Sequence, residues 1–229
     1  MIAKTVIITG AAGNLGRAVI KMFSERKYNV IGTVHKKAGN SPNGNNFEEA
    51  ELDLLNEESS QKFVGGIIEK YGTIDVAVLT AGGFTMGDIA VTKTSDIAEQ
   101  YQLNFETTYN IARPVFAQMM KQNSGRIFLI GSRAGLDTSH AKGVTAYALS
   151  KSLIFRLAEM MNAEAKKKNV VVSVVVPSTI DTPQNRESMP DADFSGWVAA
   201  SQIADVIYFY SENEANALRE PVIKVYNNA

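Results

Sequence analysis

The chain contains no cysteine, which excludes disulfides, thiolate metal sites and thiol nucleophiles. Histidine is nearly as scarce, and His35 and His140 stand far apart, so no metal site is expected. An excess of charge of one sign is missing too. With 23 basic and 24 acidic residues the formal net charge is -1, so the chain as a whole has no electrostatic pull toward nucleic acid or an anionic membrane. No apolar run approaches the roughly 20 residues that cross a bilayer. Residues 1–9 carry a lysine and are too short for the core of a secretion signal. They are read as a strand, and the protein is expected to be cytoplasmic.

What is present is a soluble globular composition, 45% apolar and 21% charged. The length suits one α/β domain with a buried core, so residues 1–229 are read as a single domain. Short β-branched runs at 5–9, 30–34, 74–80, 126–130 and 170–176 are apolar throughout. Such continuity means strands covered on both faces, as in a parallel sheet. Between them the pattern predicts helices over 15–27, 59–71, 97–122, 144–168 and 199–211, with a last strand at 221–226. This alternation predicts a single-domain, Rossmann-type, doubly wound parallel sheet with its strand carboxyl ends, and hence its ligands, on one edge. The polar stretch 36–46 reads as a surface loop. Lys166 to Lys168 read as cations closing a helix against its dipole.

The first strand leads into Thr9-Gly10-Ala11-Ala12-Gly13-Asn14-Leu15-Gly16 and then a helix. Gly10 permits a tight turn, Gly13 lets backbone approach a pyrophosphate, and Gly16 lets the helix pack closely on the strand. The helix N-terminus would then face the phosphates. An ordinary turn with incidental glycines is the alternative, but the strand before and the helix after favour dinucleotide binding.

Thr-Gly at the end of a first strand, followed by spaced glycines, resembles the short-chain dehydrogenase/reductase family, most of whose members carry the middle glycine where this chain has Asn14. The resemblance implies an NAD(P)-dependent oxidoreductase. The second strand ends at Val34-His35-Lys36-Lys37, where an acid would accept hydrogen bonds from the ribose hydroxyls of NAD. Lysines there can instead pair with a 2′-phosphate, so NADP is expected, with NAD the alternative. Asp53, beside Leu54, resembles the family aspartate at the adenine, or is a turn or helix-cap carboxylate. Ala81-Gly82-Gly83 resembles the family turn that packs closely on the cofactor. Pro177, Ile180 and Thr182 lie in a segment resembling the one beside the nicotinamide carboxamide, with Ser178 in place of glycine.

Tyr147 and Lys151 stand four apart in a helical segment, a spacing that puts phenol and ammonium on one face. A free tyrosine titrates near pH 10; proton transfer near neutrality needs its phenolate stabilised, which a lysine and a cationic nicotinamide ring can do. Alone, such a pair is commonly an exposed amphipathic one. Upstream, Gly131-Ser132-Arg133-Ala134-Gly135 resembles the family segment whose serine holds the substrate oxygen. Family spacing from serine to tyrosine is about two residues shorter, so the loop 136–143 is enlarged here and Ser132 is open to displacement. Asn104 matches the family asparagine that supports the lysine through water, or simply bends its helix.

Residues 181–197, with Ala81 to Phe84 and Leu136-Asp137, resemble the dihydropteridine reductases, a branch of that family, which implies a quinonoid dihydropterin as substrate. Met189, Phe194 and Trp197 would form an apolar lid over a flat ring, or else pack in the core. Ser132, Asn104 and His35 depart from that branch, and a full serine, tyrosine and lysine set suits a carbonyl or 3-oxoacyl substrate. A non-catalytic NADP sensor is the rival from another class; it has no need of Tyr147 and Lys151. Tyr109, Ile111, Phe116, Phe155 and Met160 exceed what one sheet face covers, and the family pairs these helices across a twofold axis, which implies a homodimer or homotetramer.

Overall fold

The protein is described from a computed structural model covering residues 3–36 and 46–228. Lys37, expected at the cofactor, lies outside the described residues.

Strand β1 (Thr5–Thr9) is buried at every position, as its unbroken apolar run requires. There follow α1 (Asn14–Glu25), β2 (Asn29–Val34), β3 (Phe47–Glu51), α2 (Glu57–Tyr71), β4 (Val76–Leu79), α3 (Thr94–Tyr101), a π-helical turn (Gln102–Glu106) and α4 (Thr107–Gln122). The chain continues through β5 (Ser124–Ile130), α5 (Arg133–Leu136), α6 (Thr145–Glu164), β6 (Asn169–Pro177), β7 (Ile180–Asp181), α7 (Pro183–Ser188), β8 (Val198–Ala199), α8 (Ala200–Ser211) and β9 (Val222–Val225). Seven parallel strands pair in the order β3-β2-β1-β4-β5-β6-β9. The chain winds outward from β1 to β3 and returns to begin again at β4, so β1 and β4 flank the switch point where such sheets bind ligands.

Alternate side chains of each strand feed one of two apolar layers. Ile7, Ile127 and Leu129 pack with Ile111, Val115 and Met119 of α4 and Ile154 of α6. On the other face Val6 and Ile8 meet Val19, Ile20 and Phe23 of α1 and Ile203 and Ile207 of α8. Each such fully buried side chain contributes about 1.5–3 kcal/mol. Ile111, Phe116 and Phe155, expected to be surplus apolar surface, are core residues. Tyr109 and Met160 do remain exposed, beside Tyr101, Leu149 and Leu153.

Three other elements differ from expectation. Strand β3 reads Phe-Glu-Glu-Ala-Glu and sits at the sheet edge, where charge is tolerated and blunts edge pairing. Its one large apolar residue, Phe47, covers Gly32, where a Cβ would come 2.8 Å from the ring. The helix expected over 97–122 begins instead at Thr94 and is interrupted by the π-helical turn around Asn104. Lys166 to Lys168 do not close a helix. Helix α6 ends at Glu164, and the lysines form the turn into β6, Lys167 in the left-handed region at φ 75°. No helix among the described residues is long and apolar enough to cross a membrane.

Candidate active site

Strands β1 and β4 bring two turns together at the switch point. Thr9 Oγ1 accepts from the Ala81 backbone N–H at 3.1 Å, and the Thr80 hydroxyl donates to the Thr9 carbonyl at 2.6 Å. Thr9 is therefore buried behind the cofactor cleft, tying its walls together. Gly10 has φ 67°, and a Cβ there would lie 2.9 Å from Thr80 Oγ1 and 3.0 Å from Ala81 N, so only glycine fits. At Gly16 a Cβ would fall 2.2 Å from the Gly10 carbonyl oxygen, which fixes how closely α1 meets its turn. Leu15 is buried in the core, so only its backbone is available to a phosphate.

Gly13 is different. It is the N-cap of α1, has no side chain to satisfy the first-turn N–H groups, and an added Cβ would meet only the Gly10 oxygen, at 3.2 Å. These donors face a cleft of about 460 Å³ lined by Gly10, Gly13, His35, Asp53, Leu54, Ala81 and Gly82. Glycine here keeps the cradle open for a pyrophosphate at the helix N-terminus. Gly13→Ala should thus change folding stability by less than about 1 kcal/mol while lowering dinucleotide affinity by roughly tenfold or more, about 1.4 kcal/mol. Fluorescence titration beside urea unfolding reads both, and equal affinity would remove Gly13 from the cradle.

At the adenosine end, His35 and Lys36 follow β2 directly and both are exposed. Asp53 lines the cleft, and its Oδ1 accepts from the Leu55 N–H at 3.0 Å, so it is a turn carboxylate open to that cleft. Among the described residues no cluster of three or more metal-ligating side chains occurs.

The residues expected to carry the chemistry lie on α6, at the start of α5 and near the turn after β4. Lys151 is buried, its Nζ donates to the Ile130 carbonyl at 2.9 Å, and desolvation holds its pKa down to about 8. The ammonium is 6.0 Å from the centre of the Tyr147 ring. Burial raises the Tyr147 pKa above the ordinary value of 10.0, and the nearby Ser132 hydroxyl opposes that shift. Ser132 stays next to α6 despite the longer loop. It caps α5, its Oγ accepting from Gly135 N at 3.0 Å, and Gly135 packs so tightly on α6 that a Cβ would lie 2.7 Å from Lys151 Cβ. The added length is taken up beyond this contact, in an exposed 3-10 turn over Thr138–His140.

Asn104 is fully buried in the π-helical turn, a distortion that recurs at functional sites. Its Oδ1 accepts from Gly83 N at 3.0 Å, and its Nδ2 donates to Gln100 Oε1 and Ser150 Oγ, each at 3.1 Å. It thus joins the turn after β4 to α6 at Ser150, between Tyr147 and Lys151 in the chain. Asn104→Ala strands these buried partners and should cost about 3 kcal/mol of stability by chemical denaturation; a loss under 1 kcal/mol would contradict the network.

The segment after β6 is pinned by its own polar groups. Pro177 and Ser178 are buried, and the Ser178 hydroxyl finds no partner among the described residues. Thr182 Oγ1 caps α7 by accepting from Asn185 N at 3.1 Å, and the Ile180 carbonyl accepts from Asn185 Nδ2 at 2.8 Å. As an acceptor here, Thr182 Oγ1 keeps its proton to donate, as the expected carboxamide contact requires. Asn14 Nδ2 donates to Gln184 Oε1 at 2.9 Å, linking the glycine turn to α7. Of the expected lid, Met189 is exposed and Phe194 partly so, but Trp197 is buried against Phe194 with ring centres 4.7 Å apart. Trp197 is therefore packing beneath Phe194 rather than lid surface.

One residue escaped the sequence reading: Phe84, which is 62% exposed, sets its ring edge-on to Tyr147 at 5.0 Å. An exposed aromatic immediately after the Ala-Gly-Gly turn was the available signal. Its loop is held to the start of α6 by Gly87 N to Gly143 O and Thr145 N to Gly87 O, both 2.8 Å.

A phenol kept protonated beside a buried ammonium is useful next to a hydride donor, and the glycine-lined cleft at the N-terminus of α1 fits a dinucleotide. The class so defined is the nicotinamide-dependent oxidoreductases. The chain belongs to the short-chain dehydrogenases, whose family profile, "short chain dehydrogenase", matches residues 4–193. It is 27% identical over 187 residues to the 3-oxoacyl-[acyl-carrier-protein] reductase FabG of Vibrio cholerae, covering 80% of this chain and 76% of that protein. It is 28% identical over 198 residues to the oxidoreductase UcpA of Salmonella typhimurium, covering 82% and 75%. The structure of ElxO with NADP bound has the same fold, with a TM-score of 0.87 at 23% identity over 97% of each chain. These relatives do not bring out the closeness to dihydropteridine reductases expected from residues 181–197.

Proposed function

We propose that the protein reduces the carbonyl of a small ketone to a secondary alcohol with NADPH. The observation that carries this reading is the Tyr147 phenol beside the buried Lys151 ammonium, 6.0 Å from the ring centre, with Ser132 held against the same helix through Gly135; two hydroxyl donors on neighbouring elements suit one carbonyl oxygen. A bound reduced nicotinamide supplies the hydride to the carbonyl carbon. The oxygen takes its proton from Tyr147 Oη, and Ser132 Oγ donates a hydrogen bond to the same oxygen. The Lys151 ammonium, fixed on the Ile130 carbonyl, offsets the charge that develops on the phenol. Burial keeps Tyr147 protonated at neutral pH, the state an acid in the reducing direction needs.

NADP preference rests on His35 and Lys36 at the adenosine end, with Lys37 next in sequence. The bound NADP of ElxO and the 3-oxoacyl substrate in the name of the Vibrio relative support the same reading. A quinonoid ring is the second reading. The exposed Phe84 beside Tyr147 offers a flat apolar wall to such a ring. Steady-state oxidation of NADPH and NADH with 3-oxoacyl thioesters, simple ketones and quinonoid dihydropterin separates the readings. Preference for the pterin overturns the ketone proposal, and no turnover on any of them favours a nucleotide sensor.

A homodimer through α4 and α6 is part of the proposal. Phe105 stacks on Tyr109 at 6.0 Å and meets Tyr101 tilted at 5.3 Å, and Tyr101, Tyr109, Leu149, Leu153 and Met160 are exposed apolar side chains of α3, α4 and α6. Sedimentation should give a dimer or tetramer; a monomer at micromolar concentration contradicts it.

A further inference from the structure

A second cleft, of about 450 Å³, lies between α5, the Thr138–His140 turn and the end of β9. Its inner wall is Arg133, which immediately follows Ser132. The guanidinium lies 4.9 Å from the centre of the Tyr226 ring, and its Nε is buried with no hydrogen-bond partner among the described residues. None of the ion pairs among those residues involves Arg133. A guanidinium stacked on an aromatic ring keeps its edge donors in one plane, the geometry that grips a carboxylate or phosphate by two parallel hydrogen bonds.

The surrounding charge favours the same kind of guest. Lys224 and the His140 imidazole line the cleft with Arg133, against a single carboxylate, Asp137. Asp137 is already engaged: its Oδ1 accepts from the Ser139 N–H at 2.9 Å, and that bond, ahead of the nearby His140 and Lys224, holds its pKa below the ordinary 3.8. The outer wall, Thr138–His140, is built from the loop that is longer here than the family spacing between serine and tyrosine. The cleft is thus made by a departure of this chain from the common pattern.

We propose that this cleft binds a small oxyanion, a carboxylate or phosphate group gripped by Arg133 with Lys224 opposite, at a site separate from the nucleotide cleft. Two sources share this chemistry: the anionic end of the molecule being reduced, or a free anion acting as an effector. Either bears on catalysis, because Arg133 is the first residue of the helix that Ser132 caps.

The test is calorimetric titration of inorganic phosphate into the full-length protein saturated with NADP, which keeps the probe out of the pyrophosphate cradle. One saturable phosphate site per chain is expected, weakened roughly tenfold or more by Arg133→Leu and by Lys224→Met, and weakened by added salt. Lys224 stands on β9, so its variant answers the question even if Arg133→Leu disturbs α5. Absence of saturable binding at millimolar phosphate, or equal affinity in wild type and Lys224→Met, overturns the proposal. Because the readout is heat of binding, its failure is distinct from failure of the reductase reading. Kinetics then separate the sources. A substrate end is shown if Lys224→Met raises KM only for a ketone bearing a terminal carboxylate. An effector is shown if phosphate changes the rates of all substrates in wild type and of none in the variant.

Discussion

Replacing Tyr147 by phenylalanine is expected to lower turnover by about 10²- to 10⁴-fold, the range general acid catalysis contributes, with nucleotide affinity nearly unchanged. The change removes one oxygen and keeps the ring, so the edge-on contact with Phe84 and the packing of α6 persist. No neighbour can take over. The Ser132 hydroxyl is far too weak an acid, and Lys151 is held away on the Ile130 carbonyl. Single-turnover oxidation of NADPH, paired with a nucleotide titration, reads the two effects separately. Wild-type turnover in the variant would sink the assignment of Tyr147 as the acid, and a matching loss of nucleotide affinity would make its role one of binding.

Lys151→Met should abolish activity and yet stabilise the protein near neutral pH. The lysine is buried, and its one hydrogen bond is to a backbone carbonyl, which leaves most of its charge uncompensated. Its pKa falls from the ordinary 10.5 to about 8 in the folded protein. Below that folded value both states hold the proton, and the group lowers stability by a constant amount, on the order of 3 kcal/mol. As pH rises from about 8 to 10.5 the unfolded chain binds the extra proton, so stability from this group rises with pH until the penalty is gone. Methionine removes the penalty but leaves the Ile130 carbonyl unpartnered, at about 1 kcal/mol. The variant should therefore be more stable than wild type by roughly 2 kcal/mol at pH 7, and less stable above the ordinary lysine pKa. Urea unfolding at pH 7 and near pH 10 checks this, and a difference that does not change with pH contradicts a buried ammonium. The activity loss follows from the phenol: without the cation, burial alone governs Tyr147, and a developing phenolate has no counter-charge.

The parallel sheet was legible because burial on both faces leaves its mark in consecutive residues: β1 and β6 are apolar nearly throughout. The glycine turn was legible for a similar reason. Gly10 and Gly16 occupy places where backbone passes within contact distance of backbone, so no other residue can stand there. Tyr147 and Lys151 could be paired from sequence since a spacing of four fixes a common helical face.

Other features depended on partners distant in the chain. Edge strand β3 hides its identity behind three glutamates, because only Phe47 touches the sheet's apolar layer. The π-helical turn exists where Asn104 reaches Gly83 and Ser150, and no local pattern announces it. The aromatic edge of Phe84 against Tyr147 and the burial of Ile111, Phe116, Phe155 and Trp197 were likewise settled by neighbours. By itself the sequence determined the sheet, the glycine turn and the shared helical face of Tyr147 and Lys151, each set by short-range geometry. Only the tertiary structure decided that Ser132 stays beside α6 despite a longer loop, how far Lys151 is desolvated, and that Arg133, without an ion-pair partner among the described residues, faces a cleft, since contact and burial are properties of the packed chain.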